Sequence, residues 1–239
     1  VGESVDSVAV GDRVFGVVAK AHLAEGAFAE YTTVDAAGSL ARTPASLTDT
    51  EAAGLGHTGS TALAIMAALG ELAGRTVLIV GATGGVGTLL VQLAAAGGAT
   101  VIATGRTEEG RAVLTGLGAT HAVDYSDLTA AVRAVARDGV DAAVHLAGDA
   151  AEIAPLIVDG GTLASALLYA PQLFPDGGRI TPAPIDGSPT AESIGRLAEL
   201  VEQGRLRVIV HREHEFAQVH EAFAQFGRET VGNLVVLIR

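Results

Sequence analysis

TVLIVGATGGVG, residues 76–87, decides the fold. A run of β-branched and aliphatic side chains from Thr76 to Val80 reads as a buried strand. GATGGVG (81–87) follows at once, and TLLVQLAAAGG after it reads as a helix. Glycines at such a strand-to-helix turn let the chain bend tightly and let the backbone approach a pyrophosphate. The N–H groups of the helix's first turn, with the positive end of its dipole, then hold the phosphates. The spacing is GxxGxxG, with Ala82 and Thr83 after the first glycine. Alone it is a weak signal; between a strand and a helix it points to a dinucleotide. A phosphate-loop NTPase is excluded, because that motif needs a lysine after the glycines, and the chain's one lysine is Lys20.

The next strand, ATVIATG (99–105), carries the choice of nucleotide. An NAD site places an acid at its end to accept from the ribose 2′-hydroxyl. Here Thr104, Gly105 and Arg106 stand at that end, followed by Thr107. A guanidinium suits the dianionic 2′-phosphate of NADP through paired, charge-assisted donors. Glu108 and Glu109 come later, in a helix's first turn, where acids are favoured anyway. The reading is therefore NADP(H).

Outward from this core the pattern alternates. Helix EEGRAVLTGLG, strand THAVDY, helix DLTAAVRAVARDG, strand DAAVHLAG, helix AEIAPLIVDG and strand GTLASALLY follow in turn. Five strands separated by helices predict an α/β, doubly wound parallel sheet. Upstream, Thr48 and Glu51 have capping-box spacing, and 61–72 reads as a buried helix. GDRVFGVVA (11–19) and GAFAEYTTVD (26–35) read as extended segments. The Pro- and Gly-rich 170–189 stretch reads as a domain edge or a partner-facing loop. Downstream, 192–204 reads as a helix, and the end of the chain as an amphipathic helix, a loop and a strand.

Composition removes other functions. There are 15 Lys plus Arg against 27 acidic residues, a formal net charge of −12, which leaves no electrostatic footprint for nucleic acid. Zero cysteines remove disulfides, thiol nucleophiles and thiolate metal sites together. Residues 76–105 carry no charge and are long enough to suggest a membrane span. Their seven glycines and five threonines fit strand, turn and helix instead. Glu3 and Asp6 interrupt any secretory-leader pattern at the start, so a cytoplasmic protein without a membrane partner is expected.

Residues 76–106, preceded by GSTALAIMAALGEL (59–72), resemble the cofactor domain of the zinc-independent medium-chain dehydrogenase/reductases, the quinone oxidoreductase (zeta-crystallin-like) group. VDSVAVGDRVFG (5–16) and GAFAEYTTV (26–34) are similar to the end of that family's GroES-like catalytic domain, and 222–238 to its closing helix, turn and strand. The resemblance implies a doubly wound Rossmann sheet plus a partial GroES-like β-rich domain: 1–55 catalytic, 56–186 NADP-binding, 187–239 returning to the catalytic domain. It also implies a chain that begins partway through the GroES-like domain. Gly84, Gly85 and Val86 match the pyrophosphate turn, and Thr104, Gly105 and Arg106 the 2′-phosphate loop. Tyr125 matches a tyrosine beside the adenosine. Leu146, Ala147 and Gly148 match the loop passing the nicotinamide ribose, and Ala166 and Leu167 the nicotinamide-side edge of the next strand. Thr61 matches a threonine near the cofactor. Asn233 stands where the family often has lysine. A homodimer is implied, with the strand-and-loop segment Gly178–Ile185 as the candidate pairing edge.

Metal is not expected. His57 falls near a ligand position of zinc-dependent relatives but stands alone. His211, His214 and His220, with Glu213 and Glu215, have no HExxH spacing and read as a solvated loop and surface. The resemblance implies hydride transfer from NADPH to a small-molecule acceptor, a quinone or an α,β-unsaturated carbonyl. Two rivals are an atypical short-chain reductase, which lacks support in a chain without a Tyr-x-x-x-Lys pair, and a non-catalytic NADPH-binding module.

Overall fold

The computed structural model describes residues 1–20, 26–175, 178–228 and 230–238. Its first elements are two short strands, β1 (Val14–Gly16) and β2 (Leu40–Arg42), paired antiparallel. Helix α1 (Asp49–Leu69) follows, opened by the expected capping box. The Glu51 N–H donates to the Thr48 hydroxyl at 3.2 Å, and the Thr48 N–H donates to the Glu51 carboxylate at 2.9 Å. Thr48→Ala should lower stability by about 1 kcal/mol, read from the urea midpoint.

The centre is a six-stranded parallel sheet in the order β5-β4-β3-β6-β7-β8. The strands are β3 (Thr76–Val80), β4 (Thr100–Thr104), β5 (His121–Val123), β6 (Val140–His145), β7 (Ile157–Ser165) and β8 (Thr181–Pro184). Helices α2 (Gly85–Ala96), α3 (Glu108–Gly116), α4 (Leu128–Val135) and the short α5 (Ala150–Ile153) connect them. Side chains alternate across the sheet. Val77, Ile79, Val101, Ala103 and Val144 join the core shared with α1 and α2. Leu78, Val80, Ile102 and Ala143 join the core on the other face, with Val132 and Ile153. Both faces are covered, which is why these strands read as continuous apolar runs.

Helix α6 (Ala191–Glu202) packs on α1. The chain closes with β9 (Val210–Glu215), α7 (Val219–Gln225) and β10 (Asn233–Leu237), and β10 pairs parallel to β9. By length and composition α1 could cross a membrane, but 56% of its most apolar window is buried inside the fold. Three glycines let neighbours press against it. A Cβ on Gly59 would lie 2.6 Å from Leu197 of α6, one on Gly56 2.8 Å from the Gly16 carbonyl, and one on Gly54 3.1 Å from Asn233. The helix runs unbroken through the expected 55/56 boundary.

Several expectations need correcting. GAFAEYTTVD (26–35) forms no strand; it is exposed throughout, and among the described residues no strand lies beside it to take its hydrogen bonds. The helix expected at 151–160 ends at Ile153, a 3-10 turn covers Ala154–Leu156, and β7 begins at Ile157. Pro155 has no N–H to continue an α-helix. The sheet has a sixth strand beyond the five expected, β8, which lies inside the strand-and-loop segment expected at Gly178–Ile185 and within the stretch whose prolines read as loop. The Ile185 N–H donates inward to the Ser165 carbonyl at 2.9 Å. By strand alternation Pro182 and Pro184 then face outward, where an edge strand can spare its N–H groups. The histidine segment is also strand, not loop: His211 and His214 lie on β9, and His214 is buried.

Candidate coenzyme-binding site

The loops at the carboxyl ends of β3, β4, β6 and β7 converge on a cleft of about 540 Å³. Its floor is the glycine turn. Gly81 turns the chain at φ 88° and Gly84 caps α2 with no side chain to offer the helix's first N–H groups. Helices α1, α3, α4 and α6 differ: Thr48, Thr107, Asp127 and Thr190 each accept from a first-turn N–H. The opening N–H groups of α2 face the cleft without that competition. Thr104, buried at the end of β4, braces the turn from below: its hydroxyl accepts the Gly81 N–H at 3.1 Å and reaches the Ile79 carbonyl at 3.4 Å.

At one end of the cleft the Arg106 guanidinium lies over the Tyr125 ring, 5.5 Å from its centroid. Among the described residues Arg106 is in no ion pair. Arg111, one turn into α3, supports the loop beneath it. Its guanidinium donates to the carbonyls of Gly105 at 3.0 Å and Arg106 at 3.2 Å, and to Asp124 at 3.0 Å. The Asp124 carboxyl is held below its ordinary 3.8, first by the Ser126 backbone N–H at 2.7 Å, then by the Ser126 hydroxyl and by Arg111. A carboxyl with a depressed folded value contributes stability that is complete above the ordinary value and lost as pH falls through the folded one. Wild type and Asp124→Asn should therefore differ in urea midpoint at neutral pH and converge in acid below 3.8.

The chain's last segment forms the remaining wall. The Gly232 N–H donates to the Thr83 carbonyl at 2.7 Å, and Gly232 pairs with Gly84 as an isolated parallel bridge. Asn233, nearly buried, donates through its side-chain amide to the Ile209 carbonyl at 3.2 Å and lies against Gly54 and Gly85. Its amide thus bonds the residue before β9 while the side chain packs between α1 and the glycine turn.

Of the residues singled out from the sequence, Gly84, Gly85, Val86, Thr104, Gly105, Arg106, Tyr125, Leu146, Ala147, Ala166, Leu167 and Asn233 line this cleft. Thr61 does not; its hydroxyl donates to the His57 carbonyl within α1, and Thr58, a turn earlier, lines the cleft instead. Gly148 sits behind the wall at φ 80°, against the Tyr125 hydroxyl. Phe226, Gly227, Thr230, Val231 and Leu234 were missed, because pairing between β9 and β10 brings them to the cleft and no local pattern marks it. Among the described residues no group of three or more His, Asp or Glu is placed to hold a metal ion. His57 is exposed on α1.

A parallel sheet with a glycine turn at the helix beside its central strand defines a Rossmann-type nucleotide fold. The profile of the zinc-binding dehydrogenase family matches residues 85–165. The quinone oxidoreductase structure from Coxiella burnetii is 26% identical, with a TM-score of 0.84 over 100% of this chain and 75% of that one. A mycobacterial structure complexed with NADPH is 26% identical, with a TM-score of 0.83 over 100% of this chain and 79% of that one. In sequence, the 2-methylene-furan-3-one reductase of Solanum lycopersicum is 28% identical over 99% of this chain and 60% of its own length. In fold and over residues 85–165 the chain is similar to the medium-chain dehydrogenase/reductases, a family of pyridine-nucleotide-dependent oxidoreductases. It spans no more than 60% of the curated relatives it matches most strongly.

Proposed function

We propose that this protein binds NADPH in the cleft and reduces a quinone or an α,β-unsaturated carbonyl without a metal. The observation that carries the reading is one continuous cleft with the start of α2, free of a side-chain cap, at its centre and Arg106, in no ion pair among the described residues, on Tyr125 at one end. The N–H groups of Gly85, Val86 and Gly87 would take the pyrophosphate, and Arg106 the 2′-phosphate. Leu146, Ala147, Ala166 and Leu167 would wall the opposite, nicotinamide end with apolar surface that excludes water. When bound, NADPH supplies the hydride from its nicotinamide C4. A quinone reduced in this way leaves a stabilised hydroquinone anion that can take its proton from water, so positioning and water exclusion suffice and no general acid is required. The relatives named above support the acceptor class: one is a quinone oxidoreductase, the other an enone reductase by name.

The test is a titration of coenzyme fluorescence with NADPH and NADH, followed by coenzyme oxidation with a panel of quinones and enones. Tighter NADPH binding with turnover supports the reading. Binding without turnover on any acceptor identifies a non-catalytic binding module, and uptake of neither coenzyme rejects both.

We also propose a cytoplasmic homodimer with no nucleic-acid or membrane partner. The pairing edge would be Gly178–Ile185, which includes the outermost strand β8. With Pro182 and Pro184 outward, a second copy would meet carbonyls and side chains there and few N–H donors. A monomer by light scattering at micromolar concentration would reject this assembly.

A further inference from the structure

One buried titratable side chain has no part in the reading above. His145 ends β6 with its ring buried, directly paired in the sheet with Ser165 at the end of β7. Its Nδ1 lies 3.0 Å from the Ser165 Oγ and its Nε2 3.2 Å from the Gly148 carbonyl. The same Oγ accepts the N–H groups of Leu167 at 3.1 Å and Leu168 at 2.9 Å.

These partners allow one proton arrangement. The Gly148 carbonyl can only accept, so Nε2 carries hydrogen. The neutral ring then leaves Nδ1 as an acceptor, and the Ser165 hydroxyl donates to it. Ser165 gives one hydrogen and receives two, which is its full capacity. With hydrogen on both ring nitrogens, three donors would crowd Oγ and its own hydrogen would lose its acceptor. One imidazole and one hydroxyl therefore link the turn after β6 (146–148) to the turn after β7 (166–168). These turns contribute Leu146, Ala147, Ala166 and Leu167 to the cleft, on the far side of β3 from Arg106.

We propose that His145 is a positioning residue which, through Ser165, sets the spacing of the two turns that receive the nicotinamide riboside. The inference rests on the NADPH reading and goes beyond it: the adenosine half and the nicotinamide half of the coenzyme are held by separable devices. Tyr125 is where the two meet, carrying Arg106 on its ring and Gly148 against its hydroxyl.

The experiment compares two probes, NADPH and 2′,5′-ADP, on wild type, Ser165→Ala, His145→Gln and His145→Ala. Ser165→Ala deletes one atom and takes their partner from the partly buried Leu167 and Leu168 N–H groups and from Nδ1. It should weaken NADPH about tenfold and leave 2′,5′-ADP within about twofold. His145→Gln keeps a donor in reach of the Gly148 carbonyl and should fall between wild type and His145→Ala. Ring ¹⁵N shifts in the free protein should show His145 with hydrogen on Nε2 and none on Nδ1. Equal weakening of both probes, no weakening of either, or a ring with hydrogen on Nδ1 overturns the assignment. A wild type that binds neither probe rejects the coenzyme reading itself and this inference with it, a result distinct from unequal or equal losses among variants of a binding protein.

Discussion

Arg106→Ala should lose roughly thirtyfold in NADPH affinity, about 2 kcal/mol, while NADH affinity stays within about twofold. The guanidinium is exposed, in no ion pair among the described residues, and oriented by the Tyr125 face, so a 2′-phosphate is its natural counter-charge. Arg111 cannot take over the role. Its Nη1 is held beneath the loop by the Gly105 and Arg106 carbonyls and Asp124, and its charge is already paired with that carboxylate. Arg106→Lys keeps the charge but gives up the planar fork and the stacking, and should fall between the two. Fluorescence titrations with both coenzymes decide the matter. Parallel losses for NADPH and NADH would mean that Arg106 supports the loop rather than reads the phosphate.

Gly87 is a position in the coenzyme turn where even the smallest added group should do heavy damage. A Cβ there would lie 2.5 Å from both the Ala82 Cα and the Gly81 carbonyl oxygen, and 2.6 Å from the Ala82 carbonyl oxygen. All three are backbone atoms of the turn that α2 rests on, so no rotamer change relieves the overlap. Gly87→Ala should cost about 3 kcal/mol, a fall of roughly 10 °C in melting temperature, with coenzyme binding lost as α2 is pushed off the turn. Gly87→Val should not accumulate as folded protein. A Gly87→Ala variant that melts within a degree or two of wild type would show that α2 does not seat on the turn this closely.

The sequence carried the middle of the molecule well and the ends poorly, for physical reasons. Strands β3, β4 and β6 are buried on both faces, so their apolar runs are continuous and their glycine punctuation is local. Strand β8 is the reverse: Pro182 and Pro184 are strand-breaking by type and acceptable only because their side of the strand faces away from β7. Strand β9 carries His211, Arg212, Glu213 and His214 in succession, a pattern with no apolar alternation, and becomes strand because β10 pairs with it. At the cleft, the glycine turn and Arg106 were legible as lining residues because each lies in a short consecutive stretch at a strand end. Arg111, Ser165 and His145 were not, since they act on the cleft by hydrogen-bonding its loops from behind.

The bridge between Gly84 and Gly232, with the Gly232 N–H on the Thr83 carbonyl, joins the first loop of the central sheet to a segment far away in the sequence. A nascent chain arrested with residues 226–234 still inside the ribosomal exit tunnel would possess the glycine turn but only one side of its cleft. Nucleotide affinity of length-arrested chains should therefore rise only once that segment has emerged, which makes it a direct clock for this docking step.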